Sequence, residues 1–291
     1  MSHKAGFVNI IGKPNVGKST LMNELVGEKL SIITAKKQTT RHRILGIVNE
    51  DDYQVIFSDT PGYLKPGYKL QESMMKFVND ALLDADIFLY ITAADERDED
   101  DEVVEKLQRT EVPVIVVINK IDLSNQERLE ALVAGWRQKL PAAEIIPLSA
   151  LHKFNIDTLF HLILQKLPEN PPYYPKDELT NKTMRFFVSE IIREKIFLYY
   201  HQELPYSAEV IVDAFKEEEN IIKIMAWIFV LRESQKGIIL GKEGKAIKKM
   251  ATEARKDIEE FVDKKVFLEL RVKVNKDWRD DENKLKHFGY D

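Results

Sequence analysis

Apolar residues come in short, closely spaced runs through the first half of the chain and in longer helical or alternating stretches after it. Phe7–Ile11 is a β-type run ending at Gly12, and Ser19–Val26 has helical periodicity. Gly46–Val48 and Tyr53–Phe57 read as two strands joined by a turn at Asn49–Asp52. Ile87–Ala93 and Val112–Ile118 are apolar, β-branched and do not alternate, as central strands covered on both faces require. Asp98–Arg109 between them reads as a helix. A strand at Ala143–Leu148 and a helix at Ile156–Leu167 follow. Strands alternating with helices predict an α/β domain with a doubly wound, mostly parallel sheet.

The pattern breaks at Pro168–Pro175, where four prolines in eight residues stop both helix and sheet and predict a stiff linker. Beyond it, Thr180–Tyr200 is a long amphipathic helix. Ala208–Phe215 and Ile221–Val230 alternate as paired strands around a turn at Lys216–Asn220. Ser234–Leu240 and Lys245–Val262 read as helices and Val266–Val274 as a strand. The order α-β-β-α-α-β predicts an α+β second domain. The expected division is a first domain over 1–168, a linker over 169–179, a second domain over 180–275 and a tail over 276–291.

Composition adds exclusions. With 44% hydrophobic and 31% charged residues, the 291-residue chain has the balance of a soluble protein of about two domains. It has no cysteine, so disulfides and thiolate metal sites are excluded, which fits a cytoplasmic setting. The first residues lack the apolar core of a signal peptide, and no apolar run approaches the roughly 18 residues of a membrane span. A net charge of −5 excludes a simple polybasic nucleic-acid binder, although the second half is relatively more basic.

The candidate chemistry starts at Gly12-Lys13-Pro14-Asn15-Val16-Gly17-Lys18-Ser19, which fits G-x-x-x-x-G-K-[ST] between a strand and a helix. Glycines let successive N–H groups, through Thr20, converge on phosphate oxygens at a helix N-terminus. Lys18 brings a point charge to the outer phosphates, and Ser19 a hydroxyl to Mg²⁺. Asp59-Thr60-Pro61-Gly62 follows a strand. Asp59 suits Mg²⁺, and Gly62 lets its N–H reach a γ-phosphate and swing away. In the polar stretch Thr34–Arg43, Thr40 rather than Thr39 is the residue expected to cap Mg²⁺ when the γ-phosphate is present. His42, between Arg41 and Arg43, reads as part of a solvated basic loop.

Asn119-Lys120-Ile121-Asp122 follows the buried run Val114–Ile118. The Asp122 carboxylate can accept two hydrogen bonds from guanine N1 and N2, which adenine does not offer, while Asn119 and Lys120 brace the site. Ser149-Ala150-Leu151 is placed to present the Ala150 N–H to the guanine carbonyl. Lys18, Thr40 and Gly62 are the expected catalytic groups, because phosphoryl transfer needs positioning and charge neutralisation. With no evident general base, slow turnover and a switching role are expected. The acidic run Asp95–Glu105 lacks the glycine and spacing of an EF-hand loop and reads as a solvated helix start.

In the second domain, Gly241-Lys242-Glu243-Gly244 joins two helices. Lys245, Lys248 and Lys249 lie close by, and Gly237-Ile238-Ile239-Leu240 offers an apolar platform. Glycines permit close backbone approach to a single strand of RNA, and lysines neutralise its phosphates. The tail aromatics Trp278, Phe288 and Tyr290 suit either base stacking or, more often for such residues, pinning of a terminal helix.

The set GKPNVGKS, a threonine in QTTR, DTPG, NKID and SAL resembles the translation-factor-related GTPases over residues 5–168. The α-β-β-α-α-β order with GxxG between its last two helices resembles a type II KH domain. Together with QTTRHRI at Gln38–Ile44 and the segment from Val272 to Tyr290, the pairing resembles the Era family nearly end to end. The resemblance implies GTP and GDP as ligands and the 3′ end of small-subunit ribosomal RNA as partner. It also implies a role in maturing the small ribosomal subunit, a monomeric state and peripheral association with the cytoplasmic membrane. Tyr63 departs from the Ras-like pattern, which has glutamine there. For this class the resemblance implies water positioned by other means, with K⁺ recruited near Asn15. An RNA-modifying enzyme would need a further nucleophile or metal cluster, and none is evident. A membrane GTPase whose second domain docks a protein remains the other reading, since a basic face also suits anionic lipid.

Overall fold

The computed structural model describes residues 3–96 and 102–290, and these form two compact units: Met1–Pro66 with Met74–Asn181, and Gly67–Ser73 with Lys182–Asp291. In the first, β1 (Lys4–Ile11) leads through a glycine-rich loop into α1 (Lys18–Val26). Then come β2 (Ile44–Asn49), β3 (Tyr53–Asp59), α2 (Lys69–Leu83), which belongs to this unit from Met74 onward, β4 (Ile87–Ala93) and α3 (Glu102–Gln108). β5 (Val114–Asn119), α4 (Gln126–Lys139), β6 (Glu144–Pro147) and α5 (Ile156–Lys166) complete the unit. The start of the expected helix at Asp98, and with it part of the acidic run Asp95–Glu105, lies outside the described residues.

The strands form one sheet in the order β2-β3-β1-β4-β5-β6, parallel except for the β2–β3 hairpin. Every residue of β4 and β5 is buried, so both faces are covered, as their unbroken apolar runs require. Val103, Leu107, Trp136 and Leu140 close one face over Phe88, Tyr90, Val114 and Val116. The carboxyl ends of β1, β3 and β5 carry the three motif loops. Such strand ends are where open α/β sheets bind ligands.

Residues 169–181 do not hang free. Tyr173 and Tyr174 donate their N–H groups to Gln54 Oε1, and Ile47 N–H donates to the Leu179 carbonyl at 2.8 Å. Leu45 N–H bonds Asn181 Oδ1, and the Tyr173 ring meets Phe7 edge-on. This strap shields the open edge of β2, a row of backbone groups that would otherwise invite another strand.

The second unit runs α6 (Met184–Tyr199), α7 (Leu204–Ser207), β7 (Glu209–Glu217), β8 (Ile222–Val230), α8 (Glu233–Leu240), α9 (Lys245–Val262), β9 (Val266–Val274) and α10 (Glu282–His287). Its sheet is β7-β8-β9, with β7–β8 antiparallel and β8–β9 parallel. Strand β8 alternates Ile222, Ile224, Ala226, Ile228 and Val230 into a core shared with Val188, Ile192 and Ile196 of α6, Ile239 of α8, and Met250, Ala254 and Ile258 of α9. That is the period-2 pattern of a sheet with helices on one face.

The tail is pinned rather than presented. Trp278 is fully buried and donates Nε1–H to the Ser207 carbonyl at 3.1 Å. Phe288 meets Phe229 with centroids 5.2 Å apart, and the Tyr290 hydroxyl donates to Glu209 at 2.7 Å.

Candidate functional site

The phosphate loop is bent where glycine alone is tolerated. Gly12 has φ +147° and Gly17 φ +100°. A Cβ on Gly12 would lie 2.2 Å from the Ile91 carbonyl oxygen, and one on Gly17 would lie 2.2 Å from Asn119 Nδ2. The second contact shows how the motifs interlock. Asn119 donates to the Val16 carbonyl at 2.8 Å and accepts from the Ala150 N–H at 3.0 Å, so one carboxamide ties three separate segments.

Pro14, Asn15, Gly17, Lys18, Ser19, Thr20, Thr40, Gly62 and Lys120 line a cavity of about 350 Å³. That is the lower end of ligand sites. Lys18 is buried, and its ammonium donates to the Gly12 and Lys13 carbonyls at 3.1 and 2.9 Å. Burial lowers its pKa to about 8, against the pull of Asp59 and Glu96. The site thus holds a cation whose charge is poorly compensated, a condition that phosphate relieves.

Three hydroxyl or carboxylate groups converge beside it. Ser19 Oγ donates to Asp59 Oδ2 at 2.7 Å and lies 2.9 Å from Thr40 Oγ1. Thr40 in turn reaches the same carboxylate at 3.4 Å. Asp59 is wholly buried and its pKa is raised by that burial, while its Oδ1 has no protein partner. These are hard oxygen donors around an orphaned acceptor, and they fit Mg²⁺ with its retained waters. Thr39 also lines the cavity, but its hydroxyl is bonded to Thr34 and to the Lys36 carbonyl rather than to Ser19 or Asp59.

Gly62 packs against the phosphate loop so closely that a Cβ would lie 2.7 Å from the backbone of Pro14. Tyr63 N–H donates to the Gly12 carbonyl at 3.1 Å, and the Tyr63 hydroxyl bonds Glu102. Asn15 sits at φ +66° and donates Nδ2–H to the Ala35 carbonyl at 3.0 Å, a contact between the phosphate loop and the loop that bears Thr40. Beyond the end of β5, the Ser149 hydroxyl donates to Asp122 Oδ1 at 2.5 Å, and His152 Nε2 lies 3.9 Å from Asp122 Oδ2. Lys120, at φ +59°, pairs with Asp95 at 3.7 Å. Leu151 is 72% exposed.

One reading of the 34–43 stretch is corrected. Arg41 and His42 are buried, not solvated, and the His42 ring lies 5.9 Å from that of Phe77. Two positioning residues, Arg43 and Asn23, escaped sequence reasoning. Arg43 bonds Ser58, Asn9 and both oxygens of Asp84, fixing the end of the loop where β2 begins. Asn23 accepts from the Leu30 and Ser31 N–H groups and fixes its start. The available signal was a polar Asn9 within a buried strand and a polar Asn23 on an otherwise apolar helix face.

In the second unit, Gly241 (φ +68°) and Gly244 (φ +75°) both occupy the left-handed half of backbone space, with Glu243 between them at φ +54°. Nothing lies within 4 Å of a Cβ built on Gly244, so that glycine serves conformation and leaves open space. Lys242, Lys245, Lys248 and Lys249 are exposed around the loop. The apolar platform needs a correction: Ile239 is fully buried among the core residues, because α8 turns that face to the sheet. Ile238 on the opposite face is 57% exposed, beside exposed Gly237.

Each unit of the chain has known relatives. A family described as "50S ribosome-binding GTPase" matches residues 7–120, and one described as "KH domain" matches residues 203–279. The chain is 47% identical over 291 residues to "GTPase Era" of Syntrophus aciditrophicus (strain SB), covering 99% of this chain and 95% of that protein. A crystal structure of Era with MgGDPNP and nucleotides 1506–1542 of 16S ribosomal RNA superposes with a TM-score of 0.95. It has 40% identity and covers 99% of both chains. The Y63A variant of Aquifex aeolicus Era bound to GDP and aluminium fluoride gives 0.94, also at 40% identity over 99% of both chains.

Proposed function

This chain belongs to the Era family of GTPases, and from that premise we propose that it is a GTP-controlled switch that binds the 3′ end of small-subunit ribosomal RNA and assists assembly of the small subunit. The observation that carries the reading is the convergence of Ser19, Thr40 and Asp59 on one buried point, on a chain that also carries a two-glycine KH loop. Thr40 belongs to the mobile class of loop that γ-phosphate orders. Its hydroxyl therefore reports which nucleotide is present.

The residues present define the chemistry. Ser19 and Thr40 would hold Mg²⁺, with Asp59 acting on its waters; when bound, the ion neutralises phosphate charge. Lys18 neutralises the outer phosphates, and the Gly62 N–H faces the transferred group after a small outward shift from Pro14. Asp122 selects guanine once Ser149 yields its hydrogen bond. Tyr63 brings no carboxamide to orient water, and its hydroxyl is engaged by Glu102. The Asn15–Ala35 contact supports K⁺ bound between the phosphate loop and the Thr40 loop. Equal hydrolysis rates in K⁺ and Na⁺ buffers would remove that part of the reading. Membrane association would be peripheral: among the described residues no helix is long and apolar enough to cross a bilayer.

Replacing Lys242 and Glu243 together by aspartate tests the RNA half. RNA binding should be lost while GTP binding is kept, because the loop carries no nucleotide-site residue. Unchanged RNA affinity would defeat the assignment.

A further inference from the structure

A second cavity, of about 390 Å³, opens where the end of α6 turns into α7 beside the outer face of α8. Its walls include Tyr199, Gln202, Glu203, Leu204, Gln235 and Ile238. Its volume falls within the range of ligand sites. The rear wall is rigid: the buried Tyr200 hydroxyl donates to the Ile239 carbonyl at 2.8 Å, anchoring the turn to α8.

Three features suit an unstacked nucleobase. First, Ile238 presents an exposed apolar surface at the mouth, with the half-buried Tyr199 ring also in the wall. A base offers a planar π-face to such groups. Second, Gln235 is a fixed donor. Its Oε1 accepts from the Leu231 and Arg232 N–H groups at 3.0 and 3.1 Å, which sets the carboxamide orientation. Its Nε2 then has no protein partner among the described residues, and base edges carry acceptors for it. Third, Lys249 Nζ stands 5.6 Å from the centre of the Tyr199 ring. A cation at the rim suits the phosphate of the same nucleotide.

The position relates the cavity to the GxxG loop. Gln235, Ile238 and Gly241 are spaced i, i+3, i+6 on α8 and its end, so they form one stripe. Ile238 precedes Gly241 by about 4.5 Å of helical rise. A strand held at Gly241–Gly244 therefore passes the cavity mouth within about one nucleotide. We propose that this cavity is an additional base pocket, taking one unstacked nucleobase that flanks the nucleotides held by the GxxG loop. It rests on the RNA-binding reading above and adds a residue-specific contact to it.

The test uses the full chain loaded with a non-hydrolysable GTP analogue. It is titrated with a fluorescent single-stranded RNA of small-subunit 3′-terminal sequence, and with the same RNA carrying one abasic ribose at each position in turn. Gln235→Glu keeps the acceptor that holds the Leu231 and Arg232 N–H groups and removes the donor. Tyr199→Leu keeps apolar packing and removes the ring. Each should weaken the intact RNA about tenfold, in line with loss of one stacked or hydrogen-bonded base. At one abasic position wild type should weaken by a similar factor, and the variants should then cause no further loss. Wild-type affinity for both variants, or a loss that persists on every abasic RNA, overturns the pocket. If the Lys242 and Glu243 double aspartate also binds normally, the RNA-binding reading falls with it; if it alone loses binding, only the pocket is wrong.

Discussion

Thr40 Oγ1 lies 2.9 Å from Ser19 Oγ, although 21 residues separate them, and both hydroxyls point at the buried carboxylate of Asp59. This contact joins the loop after α1 to the phosphate loop. On the reading proposed above Thr40 senses the nucleotide, and Thr39, whose hydroxyl is bonded to Thr34 and to the Lys36 carbonyl, does not. Thr40→Ala should lower GTP affinity about tenfold in Mg²⁺ and slow hydrolysis, while GDP affinity stays near wild type. Thr39→Ala should do neither. Titration with fluorescent GTP and GDP analogues distinguishes them, and equal losses for the two variants would reassign the sensor.

Asp122 is held by Ser149 through one carboxylate oxygen. Asp122→Asn exchanges an acceptor for a donor at the position proposed to meet guanine N1 and N2. Preference should move from guanine to xanthine nucleotides by orders of magnitude, without unfolding, because the amide can still bond the Ser149 hydroxyl. Competition between GDP and xanthosine diphosphate measures it, and retained guanine selectivity would mean another group reads the base.

Lys18 carries a pH signature. Burial lowers its pKa to about 8, whereas bound phosphate favours the charged ammonium and raises it again. Between the free and bound pKa values, nucleotide binding therefore takes up a proton, and affinity falls as pH rises through about 8. At pH 6.5 the lysine is already charged and this uptake vanishes. Calorimetry at pH 8 in buffers of different ionisation enthalpy should show the uptake. The sign for stability is separate. A depressed lysine pKa means the folded, nucleotide-free state binds fewer protons than the unfolded chain between about pH 8 and 10.5. Below that window the buried charge costs stability. Lys18→Met should therefore raise the melting temperature of the nucleotide-free protein while abolishing GTP binding.

The tail is a structural clasp on the second unit. Trp278 is fully buried, so Trp278→Ala should cost about 3–5 kcal/mol of that unit's stability. Tyr290→Phe, which removes the bond to Glu209, should cost about 1–3 kcal/mol. Chemical denaturation read by far-ultraviolet dichroism checks both. A Trp278→Ala protein of unchanged stability with weakened RNA binding would instead make the ring a base-stacking platform.

The elements most legible in the sequence were those whose signal is local. Unbroken apolar runs marked β4 and β5, and glycines marked the phosphate loop and GxxG, because backbone geometry there excludes side chains. Residues whose role depends on distant partners were illegible. Arg41 and His42 look like solvent-facing charge until Phe77 and the surrounding chain enclose them. Ile238 and Ile239 are equivalent by composition, and only the rotation of α8 against the sheet separates a surface residue from a core one. The proline-rich segment read as a spacer because its bonds to Gln54 and β2 join positions more than a hundred residues apart. Helix α4 gives a weak pattern, since among its residues only Trp136 is buried, whereas α2 buries Leu70, Met74, Val78 and Ala81 at helical spacing.

The central claim is that a guanine-nucleotide switch on this chain governs contact with one RNA segment. Sequencing the RNA crosslinked to the GTP-loaded protein in cells tests it most directly. Reads should concentrate at the 3′ end of small-subunit ribosomal RNA, thin out in the Thr40→Ala protein and disappear when Lys242 and Glu243 are both aspartate. Reads spread over unrelated RNAs, or an unchanged peak in the two variants, would contradict the account.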